Sequence, residues 1–173
     1  MEDFILKLVK EIKPKRITLY SVIILLSVSV DLLSKYLVTL FLKPIGDFPI
    51  IPEVFHLTYH ENPGAAWGML QDARWVFMTI STVAIIGMLL YLYTGWVTSK
   101  LSEAAFLLII SGGIGNMVDR ISLGYVVDFL HAKFIDFPVF NVADSCVTVG
   151  AFILIASLII EIINEKKQTE EKK

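Results

Sequence analysis

Long runs of apolar residues place the strongest constraint on how this chain can fold. Four stretches have the length and composition of a bilayer-crossing helix, which takes about 20 mostly apolar residues. They cover approximately residues 17–41, 75–97, 101–118 and 142–163. The chain of 173 residues is 18% charged, against about 25% in an ordinary soluble domain. This pattern predicts an all-α integral membrane protein with four transmembrane helices.

The distribution of lysine and arginine predicts the orientation of these helices. Ten of the fifteen basic residues lie on the side that carries both termini, four lie on the other side, and Lys35 lies within the first stretch. Cytoplasmic segments carry the excess of positive charge, so both termini are expected in the cytoplasm. The first apolar run exceeds the h-region of a signal peptide and lacks an A-x-A-like cleavage site, so we interpret it as a retained span.

The two connections on the outer side differ from simple loops in composition. Residues 43–74 contain several prolines and glycines, with β-branched and aromatic residues at 54–59 between them, which predicts short strands in a small extracytoplasmic lobe. Its Pro63-Gly64 pair by itself indicates only a turn. Residues 121–138 mix aromatic, apolar and charged side chains, which is typical of a segment in the membrane interface. We expect an interfacial helix there, within a single membrane domain spanning residues 1–173.

Several classes of function find little support in the sequence. The net charge of −2 gives no electrostatic basis for binding nucleic acid. The single cysteine, Cys146, cannot form an internal disulfide and is interpreted as a small apolar helix residue. His56 and His60 do not form an H-E-x-x-H zinc motif, and no G-x-S-x-G nucleophile elbow is present. We therefore expect no metal and no cofactor.

Ionisable side chains at membrane depth are costly, and they indicate function by default. Five acidic residues lie in or beside the predicted spans: Asp31, Asp119, Asp128, Asp144 and Glu161. Asp31 and Lys35 are four residues apart on one helix and can pair, which favours a self-neutralised structural pair. Asn116, Asp119 and Arg120 share one helix face next to a run of glycines. They form either an arranged site or a polar helix end anchored in lipid head groups.

Asp128 and Asp144 form the most informative pair. Asp128 has apolar neighbours on both sides, and Asp144 opens the fourth predicted span. Two carboxylates that share one proton are the working parts of an aspartic peptidase, in which one activates water and the other polarises the scissile carbonyl. Alternatively, Asn141 is a helix N-cap and Asp144 a first-turn acid favoured by the helix dipole. This alternative accounts for Asp144 but not for Asp128.

Taken together, these segments resemble the lipoprotein signal peptidases, or signal peptidase II, of bacterial cytoplasmic membranes. They occur in the family's order and cover most of the chain. The matching segments are Asp31-x-x-x-Lys35, Asn62-x-Gly64-Ala65-Ala66-Trp67, Gly112-Gly113-x-Gly115-Asn116-x-x-Asp119-Arg120, Val127-Asp128-Phe129 and Phe140-Asn141-x-Ala143-Asp144-Ser145. Trp67 stands where the family more often has phenylalanine.

The resemblance implies an aspartic endopeptidase that removes the signal peptide of prolipoproteins, cutting before a cysteine that carries a diacylglyceryl group. It implies that Asp128 and Asp144 are catalytic. The residues it implies for substrate binding or support are Asn62, Asn116, Arg120, Asn141, Ala143, Asp119, Asp31 and Lys35. The expected partners are lipidated prolipoproteins and membrane lipid, with a monomeric enzyme whose active site lies near the extracytoplasmic face of the cytoplasmic membrane.

Three other classes of membrane protein remain as alternatives. A proton-coupled transporter or channel predicts polar residues at mid-bilayer in several spans, whereas the acids of this chain cluster at one end. A non-catalytic assembly protein predicts no paired carboxylates. A presenilin-type aspartic peptidase needs a Gly-x-Gly-Asp run, but Asn116 follows Gly113-Ile114-Gly115 here.

Overall fold

A computed structural model describes residues 14–64, 74–97, 99–135 and 137–171. Within these ranges the chain forms four helices and three strands. The helices are α1 (Pro14–Phe41), α2 (Arg74–Tyr93), α3 (Lys100–Ser122) and α4 (Val142–Glu170). The strands are β1 (Asp47–Ile51), β2 (Phe55–Asn62) and β3 (Val126–Ala132).

The helices carry the membrane character of the chain. Helices α1, α3 and α4 are each long and apolar enough to cross a membrane, and α2 is apolar over Met78–Tyr93. Large apolar side chains such as Leu25 and Phe152 are exposed on the outside of the bundle, as expected of surfaces that face lipid. The predicted, mostly helical membrane protein is confirmed, with three of the four expected spans meeting the length and composition of a transmembrane helix.

The strands form one small antiparallel sheet in the order β1-β2-β3. Asp47 pairs with Thr58 between β1 and β2, and His60 pairs with Asp128 between β2 and β3. A bulge lies between Leu57 and His60. The predicted strand-containing lobe is therefore confirmed, and its sheet includes a strand from the second outer connection.

The interfacial helix predicted within residues 121–138 is wrong. Helix α3 continues to Ser122, and residues 126–132 form β3 instead. Pairing on both edges explains the difference, because β2 binds one edge of β3 while Phe140 binds the other. The Phe129 and Leu130 N–H groups donate to the Phe140 carbonyl at 2.9 and 2.8 Å. The residues from Val126 to Phe129 are all buried, so this segment lies inside the protein rather than along its surface.

Glycines allow α3 and α4 to pack closely. A Cβ on Gly112 would lie 2.8 Å from Val147 Cγ2 and 3.2 Å from the Ala143 carbonyl carbon, and one on Gly150 would lie 2.9 Å from the Ala105 carbonyl oxygen. Contacts this short are outside the normal van der Waals range, so larger residues would push the two helices apart. This close approach brings the polar end of α3 against the first turn of α4.

The opposite end of the bundle contains a second polar cluster. Ser99 is the N-cap of α3, and the buried Glu103 lies 3.3 Å from Arg16 and 3.0 Å from Lys100. Ser102 and Ser157 share a hydrogen bond of 2.8 Å between α3 and α4. Glu161 also lies at this end, so the expectation that the acids cluster at one end is wrong for Glu103 and Glu161. Glu103 was not among the acids singled out from the sequence, because it lies at the charged edge of its helix.

Candidate active site

Asp128 lies on β3 with only 1% of its surface exposed. Asn141 Nδ2 donates to its Oδ1 at 2.7 Å, and Asn62 Nδ2 donates to its Oδ2 at 2.9 Å. The Asn62 amide is oriented by Gly64, whose N–H donates to Asn62 Oδ1 at 3.0 Å. Both carboxyl oxygens of Asp128 therefore accept a hydrogen bond from an amide of fixed direction.

Asp144 lies in the first turn of α4 and is partly exposed. Asn116 Nδ2 donates to its Oδ1 at 2.7 Å, and the Asn141 backbone N–H donates to its Oδ2 at 3.1 Å. The Asp144 backbone N–H donates in return to Asn141 Oδ1 at 2.8 Å, which completes a reciprocal capping box. The N-cap interpretation of Asn141 is confirmed, and the same contacts orient the Asp144 carboxyl.

Asn141 connects the two acids. Its side chain is completely buried, and its Nδ2 donates to Asp128 Oδ1 at 2.7 Å and to Asn116 Oδ1 at 3.1 Å. Because its Oδ1 is used to cap α4, the amide cannot flip without losing bonds on both sides. One residue therefore starts the helix that carries Asp144 and orients Asp128.

A buried ionic cluster supports this arrangement from behind. Lys35 Nζ lies 2.8 Å from Asp31 Oδ2 and 3.1 Å from Asp119 Oδ2, and it donates to Asn116 Oδ1 at 2.9 Å. Asp31 Oδ1 accepts the Ala143 N–H at 2.9 Å. The expected pairing of Asp31 with Lys35 is present, and it extends to α3 and to the first turn of α4.

Asp119 joins the same cluster to the sheet. Its Oδ2 accepts the Val127 N–H at 3.1 Å, one residue before Asp128. Ala143 contributes a backbone N–H rather than a side chain, and its own side chain is buried. These residues therefore fix the positions of the elements that carry the two central acids.

Arg120 contacts the outer lobe. Its Nη2 donates to the Gly64 carbonyl at 3.2 Å, and its Nη1 lies 3.4 Å from the Asn116 carbonyl. Arg120 therefore holds the turn that follows β2, on the side where Asn62 reaches Asp128. The remaining part of that predicted motif, Ala65-Ala66-Trp67, lies outside the described residues.

Both acids line one cavity of about 460 Å³. Asn62, Asn116 and Arg120 also line it. The cavity wall also includes Gly113 and Phe140 from the matching segments. It further includes residues that the sequence did not single out, namely Ser81, Val126, Phe137, Pro138, Val139, Val147 and Thr148. Val147 and Thr148 follow Asp144 by one helical turn, so helix periodicity could have found them. Ser81 on α2 carries no comparable signal in the sequence.

Burial and charge favour a proton on Asp128 near neutral pH. Desolvation, followed by the negative charge of Asp144, raises the pKa of Asp128 to about 7, against the opposing hydrogen bonds from Asn62 and Asn141. A carboxyl with this pKa is partly protonated at neutral pH. Among the described residues, no group of three or more histidine, cysteine, aspartate or glutamate side chains is placed to hold a metal ion.

Known proteins share both the sequence and the fold. Residues 23–160 match the family model described as Signal peptidase (SPase) II. Proteins named Lipoprotein signal peptidase from two strains of Streptococcus pyogenes are each 43% identical over 145 residues, covering 83% of this chain and 93% of theirs.

Two solved structures described as a bacterial membrane enzyme, both obtained by the in meso method, share the fold. Their TM-scores are 0.78 and 0.70, each at 32% identity. The matches cover 86% and 82% of this chain, and 92% and 93% of those chains. Because the family model and these relatives each span most of its length, this chain belongs to the signal peptidase II family of bacterial membrane peptidases.

Proposed function

We propose that this chain is an aspartic endopeptidase that removes the signal peptide from diacylglyceryl-modified prolipoproteins, cutting just before the lipidated cysteine. Membership of the signal peptidase II family supports lipoprotein signal peptide cleavage. The observation that carries the aspartic mechanism is that Asp128 and Asp144 line one cavity and are both hydrogen-bonded to Asn141.

In the proposed reaction, one carboxyl of the pair is ionised and the other is protonated. The ionised carboxylate takes a proton from a water molecule as the water oxygen attacks the scissile carbonyl carbon. The protonated carboxyl donates a hydrogen bond to the carbonyl oxygen and stabilises the charge that develops there. The bond to the cysteine nitrogen then breaks, the nitrogen takes a proton from the pair, and the signal peptide leaves with a new carboxylate.

The amides around the pair suit this mechanism. Asn62, Asn116 and Asn141 all point N–H groups at carboxyl oxygens, so each acid is held in one orientation before substrate arrives. Such preorganised polar groups do not need to reorient during the reaction. The apolar part of the cavity wall, from Phe137 to Phe140, suits a substrate whose lipid chains remain in the bilayer and hold its cysteine near the interface.

We further propose a topology in which α2 is the fourth span and both termini lie in the cytoplasm. The excess of lysine and arginine on the side of the termini supports this orientation. It places the sheet and the cavity near the extracytoplasmic face, where a lipidated precursor presents its cysteine. The enzyme is proposed to act as a monomer in the lipid bilayer, without a cofactor and without nucleic acid.

The test is cleavage of a lipidated precursor by purified wild-type enzyme, D128N and D144N, followed as a shift in gel mobility. Each variant is expected to lose turnover by at least about a thousandfold, because paired catalytic groups act as a unit. E53Q, which removes an exposed charge from the β1–β2 turn, is the matched control and should keep full activity. Near-normal turnover by D128N or D144N, in protein that still inserts into membranes, would refute the aspartic mechanism.

A further inference from the structure

A second cavity lies at the opposite end of the bundle from the two aspartates. It has a volume of about 150 Å³ and is lined by the rings of Tyr91, Trp96 and Phe106 together with the carboxylate-bearing Glu161. The Tyr91 ring lies edge-on to both other rings, with centroid separations of 6.1 Å to Trp96 and 5.5 Å to Phe106. Aromatic rings and a carboxylate around one small space are the groups that attract an organic cation.

The charge of Glu161 is not used by the ion pairs within the described ranges. Those pairs neutralise the buried acid at this end, Glu103, which contacts both Arg16 and Lys100. None of them includes Glu161. A carboxylate beside apolar rings attracts a cation more strongly than a carboxylate in open solvent does, because the apolar surroundings screen the attraction less. Glu161 is therefore placed to attract a positively charged group from outside the chain.

Both cavities border the space between α2 and α4. Helices α2 and α4 each pack against α3, and in the described part of the chain they make no extensive contact with one another. The first cavity is lined by Ser81 of α2 and Asp144 of α4, and the second by Tyr91 of α2 and Glu161 of α4. At about 100° per residue, Ser81 and Tyr91 lie about 80° apart around α2, and Asp144 and Glu161 lie about 100° apart around α4. The space between α2 and α4, beside α3, therefore borders both cavities.

The separation of the two cavities along α4 matches the length of a signal peptide. Glu161 follows Asp144 by 17 residues, which corresponds to about 26 Å along a helix. The apolar h-region of a signal peptide has about 7–15 residues, or about 10–22 Å as a helix, and the basic n-region precedes it. A few residues separate the h-region from the cleavage site. When the scissile bond lies at the two aspartates, the n-region therefore reaches the second cavity.

We propose that the cavity formed by Tyr91, Trp96, Phe106 and Glu161 is a second substrate subsite, which binds a lysine or arginine side chain from the basic n-region of the prolipoprotein signal peptide. The cation pairs with the Glu161 carboxylate and lies against the aromatic rings. This subsite selects precursors by the charge at the end of the signal peptide opposite the cleaved bond. The proposal rests on the proposed function, since it assigns a further contact with the same substrate.

The test compares two lipidated precursors that differ only in the n-region, one with its native lysines and arginines and one with glutamine at those positions. Steady-state kinetics are measured for full-length wild type, E161Q and E165Q in bicelles. For the basic precursor, E161Q is expected to raise KM roughly five- to tenfold with little change in kcat. A change in KM of this size corresponds to the loss of one partly desolvated contact with a cation. For the glutamine precursor the difference between E161Q and wild type is expected to disappear.

E165Q removes the same charge one helical turn further along, from an exposed residue outside the cavity, and is expected to behave as wild type. The subsite is refuted if E161Q leaves KM unchanged for the basic precursor, or raises it equally for both precursors. It is also refuted if E165Q has the same effect as E161Q, since a general surface field would then explain the result. If wild type cleaves neither precursor, the proposed function itself fails.

Discussion

Replacing Lys35 with methionine tests whether charge balance in the buried cluster holds the bundle together. The side chains of Lys35 and Asp31 are each 3% exposed and that of Asp119 is 6% exposed, so water cannot replace a lost ammonium group. Wild type has one positive and two negative charges in this cluster, and K35M leaves two unbalanced carboxylates. Removing one partner of a buried ion pair costs about 3–5 kcal/mol, a large fraction of the about 5–15 kcal/mol that stabilises a typical domain.

The double variant K35M/D31N separates two explanations for this loss. It restores the wild-type net charge of the cluster, while the asparagine oxygen can still accept the Ala143 N–H. If the penalty comes from unbalanced charge, the double variant should regain at least half of the free energy of unfolding that K35M loses. If the missing contacts of Lys35 themselves are responsible, the double variant should be no more stable than K35M, and the electrostatic reasoning is refuted.

The measurement is reversible unfolding of purified protein by SDS in mixed micelles, followed by circular dichroism. K43M is the matched control, because Lys43 Nζ also lies 2.8 Å from a carboxylate, that of Glu61, but with the two side chains 49% and 41% exposed. Exposed pairs contribute about 0–1 kcal/mol, so K43M should change stability little. A loss of less than about 1 kcal/mol in K35M would contradict the magnitude derived from burial.

Three further predictions concern the site and its supporting helices. Because the pKa of Asp128 is raised to about 7, its contribution to the free energy of unfolding should fall as pH rises from about 4 to about 7. Under the proposed mechanism, the kcat/KM of wild type should decline above about pH 7 as Asp128 loses its proton, and D128N should lack the stability slope in pH-dependent unfolding. N141A removes both the α4 cap and the hydrogen-bond donor to Asp128, so it should lower the free energy of unfolding by about 2–4 kcal/mol. It should also lose most cleavage activity. Wild-type turnover by N141A would contradict the role of Asn141 in orienting the two acids. G112A should destabilise the fold by about 1–3 kcal/mol. G87A is the control, because an added Cβ at Gly87 meets nothing within 4 Å, and it should stabilise α2 by about 0.5–1 kcal/mol. Equal effects of the two variants on unfolding in SDS would refute the close packing of α3 and α4.

The sequence predicted the features that depend on local pattern. Apolar runs indicated the helical membrane architecture, and the β-branched and aromatic residues at 54–59, between prolines and glycines, indicated strands. The N-cap role of Asn141, with Asp144 as an acid in the first turn, was also visible, because it depends on residues three positions apart. Each of these features is set by neighbours in the chain, so it can be found without knowing the fold.

The features that the sequence did not predict depend on contacts between distant segments. Residues 126–132 form a strand because β2 and Phe140 satisfy their backbone groups, and composition alone does not reveal these partners. Likewise, the pair of Asp31 and Lys35 looked self-contained, although Lys35 also binds Asp119 on α3. Local strand propensity predicts secondary structure poorly where tertiary contacts supply the backbone hydrogen bonds.

The position of Asn141 has a consequence for how the protein matures. Its backbone and side chain start α4, while the same side chain binds Asp128 on β3 and Asn116 on α3. Under the proposed mechanism, competence for hydrolysis therefore appears only after the last helix has inserted and docked. A chain whose last helix has not yet docked would lack the Asn141 contacts to Asp128 and Asn116, so its two acids would not be held in these orientations.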